Sequence, residues 1–295
     1  MTGTTPSGRA SSQVREELLA KVYADPDDDS ARLVLSDYLM EQGDPLGEFI
    51  MLQCSPQPDK ARLTELLREH RMQLQAELGS LVDPGPTQFE RGFPVAVRMS
   101  VQQRWALSPP MPAWSTVQDI DWSWTGPPEA ADWLAHPHLR RVTRLRRMRA
   151  AIARRLGLHA LALRRLELQG RLTLQGSETF TVLSELPYLS WVELPDAEPR
   201  DVGLCASSPL ARRLERFEVS EPGGWSLHAT PSEQGSAVVA TLKSAKRCGV
   251  LVEAIRAAAG FGARVLRLDS TCRLETADMR RLEAAGADYA RVRWG

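Results

Sequence analysis

The sequence predicts a mixed α/β protein: a small all-helical N-terminal domain, then an irregular stack of strand-and-return units sharing a parallel sheet. Three observations lead there. Apolar residues recur at helical spacing up to about residue 81. Beyond residue 93 a short apolar pattern returns in steps of 22 to 26 residues. A length of 295 residues gives room for about two domains, each able to bury its own core.

Residues 1–12 are polar and lack the apolar centre of a secretion signal, so they are expected to form a flexible tail. The helical domain is placed at 13–82. Val14, Leu18, Leu19 and Val22 make one stripe, and Leu33, Val34, Tyr38 and Leu39 a second. Gly43 stands where a helix ends, and Asp44-Pro45 offers the cap and first position of a short third helix. Leu63, Leu66, Leu67, Leu74 and Leu78 mark a long fourth.

From 93 to 295 the pattern is apolar, two residues, apolar, one residue, apolar. It appears in Val117-Ile120-Trp122, Leu163-Leu166-Leu168, Leu189-Val192-Leu194, Leu214-Phe217-Val219, Ala263-Leu266-Leu268 and Tyr289-Val292-Trp294. Weaker copies centre on Val97, Val142 and Leu242. This period and pattern are those of leucine-rich repeats, in which each unit adds one short parallel strand and stacking buries a shared core. The expected architecture is an irregular leucine-rich-repeat solenoid with a parallel sheet. Segment 223–242 also reads as an inserted β-hairpin. The position normally held by Asn or Cys carries Thr125, Arg147, Arg171, Ala197, Pro222 and Thr271, so irregular turns are expected.

Between Leu18 and Gln53 lie Asp25-Pro26-Asp27-Asp28-Asp29, Arg32-Leu33-Val34, Asp37-Tyr38-Leu39, Glu41, Gly43-Asp44-Pro45, Gly47-Glu48-Phe49-Ile50 and Leu52-Gln53. This stretch resembles the bacterial repeat-companion domain, a module found ahead of leucine-rich-like repeats. The resemblance implies a companion to repeats and transfers no catalytic residue. The acidic cluster lacks the Gly and the bidentate Glu of a calcium loop. Its carboxylates are placed instead to cap the helix that follows.

Acidic and basic residues balance at 37 each, so overall charge favours neither nucleic acid nor membrane. Four of the 37 basic residues are lysines, and Asn is absent. Cys54, Cys205, Cys248 and Cys272 are scattered without a C-x-x-C, which suits free thiols in the cytoplasm. His136-Pro137-His138 is read as structural. No phosphate-loop, dinucleotide, nucleophile-elbow or zinc-protease motif occurs, so neither catalysis, nor a cofactor, nor a metal is expected.

Residues flanking each central apolar position point out of the core. Those before it are Asp119, Arg141, Arg165, Trp191, Arg216 and Val265; those after it are Asp121, Thr143, Glu167, Glu193, Glu218 and Arg267. Arg141, Arg165, Glu167, Trp191, Glu193, Arg216 and Glu218 are therefore the candidate partner-binding residues, on a concave face that docks another protein. The expected function is a non-catalytic cytoplasmic interaction module, in one specific form an inhibitor or immunity protein. The alternative is a nucleic-acid binder using the arginine-rich run Arg140 to Arg171. The last strand, YARVRW, is expected to offer an edge for self-association.

Overall fold

The computed structural model describes residues 6–100, 107–123, 125–170, 172, 176–230 and 237–295. The chain divides into two compact units, one of Met1–Trp124 with His136–Val142 and one of Thr125–Ala135 with Thr143–Gly295. The protein is mixed α/β, with mostly parallel strand pairing.

The first unit opens with helices α1 (Pro6–Ala24), α2 (Asp29–Glu41), α3 (Pro45–Cys54) and α4 (Lys60–Leu74). Three starts are capped by aspartates: Asp28 accepts from Ser30 N–H (2.9 Å), Asp44 from Leu46 N–H (3.0 Å) and Asp59 from Arg62 N–H (3.0 Å). Gly43, at φ +69°, ends α2 in the left-handed region. Helices α2 and α3 meet closely because Gly47 has no side chain; a Cβ there would lie 2.6 Å from Met40 N and 2.8 Å from Ser36 O. Ser36 Oγ donates to Gly47 O at 2.7 Å across the same crossing.

Helix α1 starts at Pro6, ahead of the expected end of the tail at residue 12, and Tyr38 Oη donates to Ser11 O (2.6 Å). Residues 1–5 of that expected tail lie outside the described residues. The unit also reaches past the expected boundary at 82. Strands β1 (Gln88–Glu90) and β2 (Phe93–Arg98) form an antiparallel hairpin, and β3 (Asp119–Asp121) pairs parallel to β2 with Val97 opposite Ile120. Phe93 is the reason: it is buried in one core with Leu19, Val22, Leu35, Leu39, Phe49 and Ile50. The hairpin turn needs Arg91 at φ +50° and Gly92 at φ +87°, the twist that suits a two-residue loop.

The second unit alternates strands and helices: β4 (Arg144–Arg149), α5 (Ala150–Leu156), β5 (Arg165–Gln169), α6 (Gly176–Leu183), β6 (Trp191–Leu194), α7 (Pro199–Ala206) and β7 (Arg216–Glu221). Then come β8 (Trp225–Thr230), β9 (Ala237–Leu242), α8 (Cys248–Ala258), β10 (Val265–Ser270), α9 (Thr276–Ala285) and β11 (Arg291–Trp294). Leu145, Leu166, Val192 and Phe217 stand opposite one another on successive parallel strands. The line continues through Ala229, Val238, Leu266 and Val292. All of these except Val292 are at most 1% exposed, so one row of side chains runs through the core of the unit.

The register departs from the expectation at two weak copies. The first is centred on Leu145, three residues after Val142, because His136–Val142 packs with the first unit. A bulge between Leu145 and Met148 gives β4 one extra residue and sets Arg147 at φ +54°, a conformation that costs about 1 kcal/mol. The second is centred on Val238, not Leu242. Strand β8 pairs antiparallel with both β7 and β9, so within segment 223–242 it is an added strand and β9 resumes the parallel order. Residues 231–236 of that segment, and Arg171, lie outside the described residues.

Candidate functional site

Alternation along β5, β6 and β7 buries Leu166, Val192 and Phe217 and turns the residues on either side of them towards the opposite face. Register then places Arg165, Trp191 and Arg216 side by side, with Glu167, Glu193 and Glu218 in the next row. Six of the seven candidate residues are thus gathered on three neighbouring strands.

The indole of Trp191 lies between two guanidiniums. Arg165 stands 3.5 Å and Arg216 4.8 Å from the ring centroid, both within cation–π range. Arg165 also pairs with Glu193, and Arg216 with Glu218 on its own strand. Rows of like charge spaced ~4.8 Å apart would otherwise repel. Trp191 is half-buried, so its neighbours in the chain already cover much of it.

Beside this band is a cleft of ≈ 300 Å³, lined on its polar side by Glu193, Glu218, Ser220, Ser226, His228 and Lys243. The inserted β8 creates it by setting His228 directly opposite Glu218. Burial, with Arg216 nearby, holds the His228 imidazole below its ordinary pKa. Sequence reasoning missed His228 and Lys243. The signal available was the alternation within the hairpin pattern, which puts His228 on the outward face.

Arg141, the seventh candidate, is not in the band. It precedes β4, and both its terminal nitrogens donate to Asp27, at 2.6 and 2.8 Å. Arg91 also reaches Asp27 (3.2 Å) and Asp29 (3.1 Å). The buried Arg32 donates to the carbonyls of Pro26 and Arg91 and stacks on Phe93. The acidic cluster therefore does two things: Asp28 caps α2, while Asp27 and Asp29 hold the β1–β2 turn through Arg91.

Other arginines of the 140–171 run are engaged as well. Arg140 donates to Ala24 O and Arg149 to Thr125 O, while Arg155 pairs with Asp132 and Glu129. His136 Nδ1 accepts the His138 N–H at 3.2 Å, closing a turn. All four cysteines are free, and burial raises Cys205 well above its ordinary value and Cys248 to about 11. Among the described residues no three His, Cys, Asp or Glu side chains come together as metal ligands, and no helix is long and apolar enough to cross a membrane. No protein-family model matches the chain, and no curated protein matches its sequence.

Proposed function

We propose that this chain is a non-catalytic, cytoplasmic protein-interaction module, in which the first unit is a repeat-companion-type domain and the second a degenerate leucine-rich-like solenoid. The face carrying Arg165, Trp191, Arg216, Glu193 and Glu218 docks a protein partner. One observation carries the reading: an aromatic ring held between two arginines, half-exposed, on adjacent strands of one face. Trp and Arg are the residues that most often dominate binding energy at protein interfaces. Here the guanidiniums are already held by carboxylates, which lowers the entropy lost when a partner fixes them. An inhibitor or immunity protein that sequesters a toxin is the specific form we favour.

The same pairing argues against the nucleic-acid alternative, because Arg140, Arg141, Arg149, Arg155 and Arg165 already donate to main-chain carbonyls or carboxylates of the protein. The test is affinity capture from the native cell extract, followed by titration of the purified partner. Trp191→Ala and Glu193→Arg should each weaken binding by about tenfold or more with the fold intact by circular dichroism. Equal affinity in both variants removes this face, and saturable binding of single-stranded RNA at low salt would replace the protein reading.

A further inference from the structure

At the other end of the second unit the same sheet face is arranged differently. Register sets Arg267 of β10 beside Arg293 of β11, with Arg291 two residues earlier on the same strand face. All three are exposed, and among the described residues none has an ion pair. The opposite face of β11 is partly covered: Val292 packs near Gly286 and Leu266, and Trp294, 38% exposed, donates from Nε1 to Glu283 of α9 at 2.8 Å.

The main chain of β11 is also half used. Arg291 N–H donates to Arg264 O (3.1 Å) and Gly295 N–H to Leu268 O (3.0 Å), so odd-numbered residues face β10. By alternation, the N–H and C=O groups of Val292 and Trp294 face away from it. Among the described residues β11 pairs with β10 and with no other strand. This edge combines unused backbone groups with three arginines that have no ion-pair partner among the described residues, Asp269 being a neighbouring carboxylate on the same face beside Gly295.

We infer that the β11 edge takes an extended acidic peptide as an added strand, with two carboxylates two residues apart opposite Arg291 and Arg293. Cross-strand neighbours point to the same face, and carboxylates at alternate positions lie about 6.6 Å apart, the spacing of the two arginines. A third acidic group is within reach of Arg267. A second copy of the chain fits poorly. Antiparallel pairing centred on Val292 sets Arg291 against Arg293 of the copy, and pairing centred on Arg293 sets that residue against itself. A nucleic acid satisfies the charges but not the alternating N–H and C=O groups, which a peptide strand matches.

The experiment is fluorescence anisotropy with a short labelled peptide that alternates Glu with Val. Saturable binding is expected, weakened about tenfold or more in the Arg291→Glu, Arg293→Glu double variant. A peptide N-methylated on alternate residues keeps every charge and loses the strand-forming N–H groups, so it should bind at least about tenfold more weakly. Trp191→Ala should bind the peptide as the parent does, which separates this surface from the β5–β7 face. Equal binding of the N-methylated peptide overturns the proposal, as does equal competition by a single-stranded oligonucleotide. A dimer in sedimentation that the double variant dissolves would make a second copy the occupant and overturn it too.

Discussion

In the first unit Arg32 is 2% exposed and donates to two main-chain carbonyls, whereas in the second Arg165 and Arg216 lie across an indole at the surface with Glu193 and Glu218 meeting their charges. The side chain is the same; burial and the type of acceptor differ. A buried guanidinium serving backbone carbonyls fixes the path of the chain, because its removal leaves those carbonyls without donors. The Arg216–Glu218 pair, with side chains 43% and 31% exposed, adds little to stability, since water competes for both charges.

The contrast can be broken by mutation. Arg32→Ala should cost about 3 kcal/mol in urea unfolding, while Arg216→Ala, at the more exposed pair, costs less than about 1 kcal/mol. Equal losses would show that the two arginines serve one role. Next in size, Gly47→Ala should destabilise by about 1–3 kcal/mol, because the added methyl meets the α2 backbone, which cannot give way as a flexible side chain can. A thermal melt unchanged from the parent would mean that the two helices separate at no cost.

The smallest effect belongs to Asp27. The Arg141 guanidinium, with Arg91 behind it, holds this carboxyl below its ordinary value. A depressed folded-state pKa stabilises at neutral pH, and the stabilisation is lost as pH falls from about 4 through the folded-state value. Asp27 is 66% exposed, so the contribution is less than about 1 kcal/mol. Urea midpoints of the parent and Asp27→Asn should differ slightly at pH 7 and converge in acid. A gap that widens in acid would mean the carboxyl is not held by the arginines.

What could be read from the sequence was local or periodic. Asp28 and Asp44 cap the next helix within three residues, and the strand centres Ile120, Leu166, Val192, Phe217 and Leu266 recur at regular steps. The band of Arg165, Trp191 and Arg216 was legible for the same reason, since alternation within a strand and a fixed period together imply register. Two things were not. The β1–β2 turn carries a left-handed Arg91 with nothing local to announce it, and it is held by Asp27 and Asp29, more than sixty residues earlier. Val142 fits the apolar pattern but belongs to a segment that packs with the first unit, so the strand begins later and Arg141 leaves the predicted column.

The sequence by itself determined where most segments become helix or strand and which side of each is apolar, because 3.6- and 2-residue periods are properties of one stretch of backbone; packing of His136–Val142 with the first unit moved the start of β4. Only the tertiary structure decided which charges meet. It closed Arg165 and Arg216 onto Trp191 and their glutamates, spent Arg141 on Asp27, and left Arg267, Arg291 and Arg293 without an ion pair among the described residues. An arginine's role follows from what lies within a few ångströms of its guanidinium, and that distance is set by strand register and long-range packing.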